Sequence, residues 1–342
     1  MAIQRVCPLI YKKEQMKAAW YNAFGPAKEV LQVGEWETPT LGPGEVKVKL
    51  MASAVNPSDT KKRAGASPTL LDNGAVIPNS DGAGIIEAIG EGVNPERIGE
   101  RVWVYNGQYG RRLGTSAEYI CLPQEQAVFL PEEASFEVGA CMAIPAMTAH
   151  RCVTTDGDIK DKLVLVTGGA GRVGHYAIQW AKHFGAKVIA TAGSEASKQH
   201  CLEAGADLVV GHPSNASNEA ILAFTNNEKL DLVVEGDFGV NLPFVLDILN
   251  TSGVIATYSS MTVPEPCLPF RKMLYMDVSI RVVLVYAMPT AAKQLAIADI
   301  TTLLQDGKLK HRISKTFPLE QIALAHEMIE AGDNYGCVLL TM

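Results

Sequence analysis

No pair of cysteines in this chain is spaced C-x-x-C, and the seven present (Cys7, Cys121, Cys141, Cys152, Cys201, Cys267 and Cys337) are odd in number. Neither a disulfide framework nor a structural zinc site is expected from that pattern, and reduced thiols in a cytoplasmic protein are the plain reading. No apolar run approaches the roughly 20 residues that a membrane span needs. A basic excess is also missing. Lys and Arg total 30 against 37 Asp and Glu, a net charge of −7 that argues against tracking nucleic-acid phosphates. The opening stretch MAIQRVCPLIYKKEQ has only the short apolar run Val6 to Tyr11 and one arginine. That is too little for a signal-peptide core or a mitochondrial address, so residues 1–15 read as an extension before the first strand. No serine sits in a G-x-S-x-G elbow, which leaves hydrolase chemistry without support.

What is present divides into two textures. A length of 342 residues favours two domains. Up to about residue 136 the chain is β-rich, with partly alternating stretches at 44–55, 82–93 and 99–105 set off by Gly and Pro. Near Ser135 a small, apolar helical segment begins, with Ser135 and Val138 placed to open it and Pro145 placed to kink or break it. Strand-like segments follow at 162–168, 186–192, 206–211, 230–236 and 253–259, alternating with helical ones, and a sixth at 278–286 closes the series. Such alternation predicts an α/β, doubly wound parallel sheet. A helix near 290–306 and a final strand, GCVLLTM, are expected to return to the first domain. The expected division is therefore 1–136, 137–287 and 288–342, with the first domain discontinuous.

The stretch VLVTGGAGRVG (164–174) places Gly169-x-Gly171-x-x-Gly174 between a strand and a helix. In that context the glycines allow a tight turn, close approach of backbone to a pyrophosphate, and close packing of helix on strand. The anion then meets the unpaired N–H groups of the helix start. At the tip of the second strand an NAD site wants a carboxylate, but ATAGSEASK (190–198) offers small residues, then Ser194 and Lys198, with Glu195 displaced into the next helix. NADPH is favoured over NADH on that basis, although Lys198 alone also fits a solvated helix lysine.

With AVNPSDTKKRAG, IPNSDGAGIIEAIGEGV, GERVW, TSAEY, AIPAMTAHRCV, VTGGAGRVG and YGCVLL in this order, the chain from about Met16 onward resembles the zeta-crystallin-like quinone oxidoreductases of the medium-chain dehydrogenase/reductase superfamily. The resemblance implies a Rossmann domain inserted in a GroES-like β-rich domain, with a cleft between them. It also implies that Ala170, Gly171, Arg172 and Val173 line the pyrophosphate, and that His212, Asn241, Tyr258, Ser259 and Ser260 contact adenosine and ribose regions. Val283, Leu284 and Val285 are implied to meet the nicotinamide, and Asn56 and Lys61 to fall in the catalytic cleft. Arg172 stands where the family usually has glycine, and is either a phosphate contact or a solvent-facing side chain. Lys61 stands where an aromatic residue is common and makes the pocket less aromatic.

The zinc-dependent relatives carry a Cys, a His-Glu pair and a second Cys where this chain has Asn56, Ser80 with Asp81, and Ile144. These are ill-suited to zinc, so no metal is expected. Without a fixed cation, the cleft is expected to suit acceptors that spread an incoming negative charge, quinones first and activated alkenes second. An NADPH-dependent, zinc-independent quinone reductase is the leading expectation. An enoyl or alkenal reductase, or a non-catalytic NADPH-binding crystallin-type protein, is the alternative. Tyr105, Tyr109 and Tyr119 are possible proton donors or packed tyrosines; His150, His175, His183, His200 and His326 show no metal spacing and read as surface or helix histidines. The apolar last Rossmann strand, SIRVVLV, is expected to pair with a second copy in a homodimer or homotetramer.

Overall fold

The computed structural model describes residues 14–332 and 335–342. Of the expected N-terminal extension, residues 1–13 lie outside the described residues, and Gln15 already belongs to the first strand, Gln15–Trp20. That strand pairs antiparallel with Gln32–Glu37, a strand the sequence reading did not single out.

The β-rich part is built around Glu45–Val55, eleven residues whose Val46, Val48, Leu50, Ala52 and Ala54 are all buried. This two-residue period buries one face of the pleat, and beyond Leu50 Ser53 and Val55 on the other face are buried too. Antiparallel neighbours are Asp81–Ile89 on one side and, on the other, Tyr119–Pro123 at its start and Cys337–Thr341 at its end. The C-terminal strand therefore completes a sheet begun almost 300 positions earlier. Ile313–Pro318 pairs with it in parallel as the outermost strand.

The second sheet has six parallel strands: β1 (Leu163–Val166), β2 (Lys187–Thr191), β3 (Leu208–Val210), β4 (Leu230–Glu235), β5 (Leu249–Thr257) and β6 (Ser279–Val282). Their order is β3-β2-β1-β4-β5-β6, the doubly wound dinucleotide-binding order. All four β1 residues are buried, as they must be in a parallel strand covered on both faces. The first crossover helix, Arg172–His183, buries Tyr176, Ile178, Trp180 and Ala181, with Phe184 half-buried at its end. His175 and Gln179 are buried as well, because helix Thr148–Thr154 covers one flank and the Lys310 carbonyl accepts from Gln179 on another.

Two local departures shape the cleft. At Pro145 the helical ladder changes: the chain widens into a π-helical turn over Met142–Met147 and then continues as the α-helix Thr148–Thr154. The Ile144 N–H is then given to the Asp81 carboxylate instead of to the helix ladder. The sixth strand is also shorter than expected, since pairing stops at Val282 and residues 283–286 leave the sheet toward the β-rich part. Helix Thr290–Gln305 packs its Ala296, Ile300, Leu303 and Leu304 into the same core cluster as Trp180 and Val188. The chain rejoins the first sheet only from Ile313 onward.

Candidate functional site

The glycine loop follows directly from β1. Gly168 has φ +59° and donates its N–H to the Thr191 Oγ1 at the tip of β2, 2.9 Å away. Gly171 is the N-cap of helix Arg172–His183. A Cβ on Gly174 would strike the Gly168 carbonyl oxygen and come within 2.8 Å of the Gly169 Cα; one on Gly169 would lie 2.8 Å from the Cys201 Sγ. Gly168 and Gly171 are exposed at the helix start, while the missing Cβ atoms of buried Gly169 and Gly174 let loop, helix and strand pack closely, an arrangement that suits a pyrophosphate.

Beyond the β2 tip the expected contacts are already engaged. Ser194 caps helix Glu195–Ala204, its Oγ accepting from the Ser197 N–H at 3.2 Å. Lys198 pairs with Glu195 at 2.6 Å, so its charge is partly answered by the displaced carboxylate. His212 lies against Gly193, where an added Cβ would sit 2.6 Å from the His212 Nε2. Asn241 does not stand free either: its Nδ2 donates to Glu235 Oε1 at 2.8 Å. Glu235, buried at the end of β4, also accepts from the Thr167 hydroxyl and the Asp237 N–H. Burial pushes its carboxyl above the usual range. Ser260 joins the Gly239 N–H to the Val263 carbonyl.

A cleft of about 350 Å³ lies at the seam between the two sheets. It brings together Asn56 and Lys61 from the β-rich side, Arg172, Val173, Tyr258 and Ser259 from the parallel-sheet side, and Val283, Leu284 and Val285 past β6. Ser194, Lys198, His212, Asn241 and Ser260 do not line it.

At its floor, Asn56 caps the short helix Pro57–Lys61 and donates from Nδ2 to Asp81 Oδ2 at 2.9 Å. The same oxygen accepts the Ile144 N–H at 2.9 Å. The positions matched to a zinc set are thus spatial neighbours, and they are tied to each other by hydrogen bonds. Asp81 is wholly buried, Oδ1 has no partner among the described residues, and desolvation raises its carboxyl well above the ordinary value. Asp59, buried beneath Asn56, is pushed up to about 6 by the same cause. An amide, a hydroxyl and a backbone N–H around a carboxylate that resists ionisation do not make a three-ligand zinc site. Among the described residues no three His, Cys, Asp or Glu side chains group as metal ligands.

Tyr286 is the residue that sequence reasoning missed. Carried on the turn after β6, its hydroxyl lies 3.1 Å from Ser58 Oγ, 3.3 Å from Ser80 Oγ and 3.3 Å from Lys62 Nζ. Lys62 also covers the ring at 4.5 Å and donates to Gln108. Tyr109 stacks on Tyr286 with centroids 4.8 Å apart, and so takes part as a ring neighbour. Tyr105 packs beside Trp103 in the core, and Tyr119 lies under Lys47. Tyr286 and Tyr258 restore the aromatic surface that Lys61 removes. Its position in an apolar run gave no signal of this role.

The expectation that nothing cationic faces the cleft is overturned, since Lys61 and Arg172 both line it. The solvent-facing reading of Arg172 fails for the same reason. The side chain turns inward toward Asp59, Cys337 and Tyr258, and burial lowers its affinity for its proton. His150, His175 and His326 are buried helix histidines, not surface ones.

A GroES-like sheet and a dinucleotide-type parallel sheet meeting at such a cleft define a two-domain dehydrogenase or reductase. Residues 42–132 match the alcohol dehydrogenase GroES-like domain, and residues 173–301 match the zinc-binding dehydrogenase domain. The chain is 30% identical to a human quinone oxidoreductase over 322 residues, covering 93% of this chain and 94% of the relative. It is 31% identical to the quinone oxidoreductase of Sus scrofa over 318 residues, 92% and 94% of the two chains. A mycobacterial quinone oxidoreductase structure superposes with TM-score 0.85 at 25% identity, over 96% of this chain and 100% of that one. The chain belongs to the medium-chain dehydrogenase/reductase family, on its quinone oxidoreductase side.

Proposed function

We propose that this protein is an NADPH-dependent quinone reductase that works without a catalytic zinc. The observation that carries the reading is the Asn56–Asp81–Ile144 hydrogen-bonded set, which occupies the place of a metal-ligand set with groups unsuited to one. The names of the full-length relatives support the acceptor class. Gly169, Ala170, Gly171, Arg172, Val173 and Gly174 would hold the cofactor's pyrophosphate, and residues 283–285 its nicotinamide end. When bound, NADPH supplies a hydride. Quinone, NADPH and one proton then give hydroquinone and NADP+. A quinone reduced in this way bears a phenolate-type oxygen, with a pKa near 10 in water. The Tyr286 hydroxyl, held by Ser58 and Ser80 beside the Lys62 ammonium, is placed to donate a hydrogen bond to that oxygen; burial raises the hydroxyl well above the usual tyrosine range, so the proton of the overall reaction is drawn from water. Asn56, fixed by Asp81, is a second positioned donor, an amide at the floor. Domain division at 136 and 287, a cytoplasmic location and a homodimer belong to the same reading. The dimer is supported by the β6 edge, where Val282 is 78% exposed, and by neighbouring Phe270 and Tyr275, each 73% exposed. Among the described residues no helix is long and apolar enough to cross a membrane. NADPH oxidation followed at saturating quinone, with and without a zinc chelator, tests the proposal; loss of activity on chelation, or turnover of saturated alcohols instead of quinones, contradicts it.

A further inference from the structure

We infer that the preferred acceptor is a flat, apolar ring system bearing a carboxylate, and that Lys61 receives that carboxylate; this rests on the reductase reading above. Much of the cleft wall is hydrocarbon, including Ile144, Pro145, Val283 and Leu284, which suits a ring. No Asp or Glu lines it. Lys61, at the last position of the capped helix Pro57–Lys61, sends its Nζ to 2.9 Å from the Met261 sulfur, across the cleft mouth. A thioether is a weak, neutral acceptor, so the ammonium is not answered by it. No described carboxylate pairs with Lys61. The next two cations along the chain are differently placed: Lys62 is taken by Gln108 and Tyr286, and Arg63 by Glu330 and the Gly25 carbonyl. Desolvation already pulls the Lys61 ammonium toward giving up its proton, a tendency that an arriving anion reverses. Arg172, at the cofactor end of the same cleft, adds positive potential from the opposite wall.

The discriminating pair of probes is 3-(1,4-naphthoquinon-2-yl)propanoate and its methyl ester, which share one ring and differ in charge. Wild-type protein is expected to favour the acid in kcat/KM by about tenfold or more, the range of a charge-assisted hydrogen bond, with the preference falling as salt is raised. In K61M the acid-to-ester ratio collapses toward one through KM, and K61R retains much of it. A wild-type ratio at or below one, or a ratio unchanged in K61M, overturns the inference. If neither quinone is reduced, the reductase reading fails by itself. Calorimetric titration of both probes into the NADP+-saturated protein then decides: tighter binding of the acid that K61M abolishes upholds the Lys61 site, and equal binding removes it. Should K61M fail to fold, the wild-type ratio and its salt dependence carry the decision alone.

Discussion

The hydroxyl of Tyr286 lies 3.3 Å from the Oγ of Ser80, although 206 positions separate the two residues in the chain. One belongs to the turn after the last parallel strand, the other to the bend that enters strand Asp81–Ile89. The contact is a polar stitch across the seam at which the cofactor and acceptor are proposed to meet. Removing the oxygen alone, in Y286F, is expected to lower kcat with naphthoquinone by roughly 10- to 100-fold, at or just below the low end of the loss on removing one oxyanion-type hydrogen-bond donor. The melting temperature should move little, since the ring and its stacking on Tyr109 remain. Steady-state kinetics beside a thermal melt separate the two effects, and unchanged kcat removes Tyr286 from the mechanism.

Gly174 has no room for a methyl group against the Gly168 carbonyl and the Gly169 Cα. Both neighbours are backbone, so G174A must shift the loop or the helix start. An overpacking cost of about 1–3 kcal/mol is expected. NADPH affinity, read by fluorescence titration, should fall more than tenfold, because the same shift moves the N–H groups that face the pyrophosphate. G171A, whose Cβ would lie 3.1 Å from the Gly168 oxygen, should be milder.

Buried histidines set the acid limit. His326 has no exposure and no partner for either ring nitrogen among the described residues, and desolvation pushes it down to about 3. His175 and His311 are pushed down to about 4, again mainly by burial. A histidine that stays neutral when folded but takes a proton when unfolded favours the unfolded chain in between. Stability is therefore full above about pH 6.5 and falls as the pH drops toward 4, by up to about 1.4 kcal/mol per pH unit for each histidine. Urea midpoints at pH 7, 6 and 5 should show the decline, and H326L should flatten it. A midpoint that does not change over that range contradicts the assignment.

The edge strand β6 presents Val282 and, just past it, Leu284 to solvent. If a second copy pairs there, V282D places a desolvated charge in the interface and should yield a monomer by sedimentation while the fold, read by far-UV dichroism, is kept. A wild-type monomer contradicts the dimer outright.

Much of the scaffold was legible from local pattern. The alternation from β1 to β5, the glycine loop and the helix opened by Ser135 depend on backbone sterics, capping and burial periodicity, all of which act over a few residues. The strand at 279–282 is shorter than the apolar run 278–286 predicts, because an apolar run does not reveal where pairing partners end. Gln32–Glu37, half-exposed, and Ile313–Pro318, exposed except at Phe317, give no strand period, and their neighbours create them. By itself the sequence determined a phosphate-cradling turn on a doubly wound sheet and a donor set at Asn56, Ser80, Asp81 and Ile144 that does not suit zinc. Only the tertiary structure decided that Tyr286 meets Ser58, Ser80 and Lys62, and that Lys61 and Arg172 face one cleft. Such contacts join chain segments more than a hundred residues apart, and which side chains then share one low-dielectric space is fixed by the packing of the two sheets.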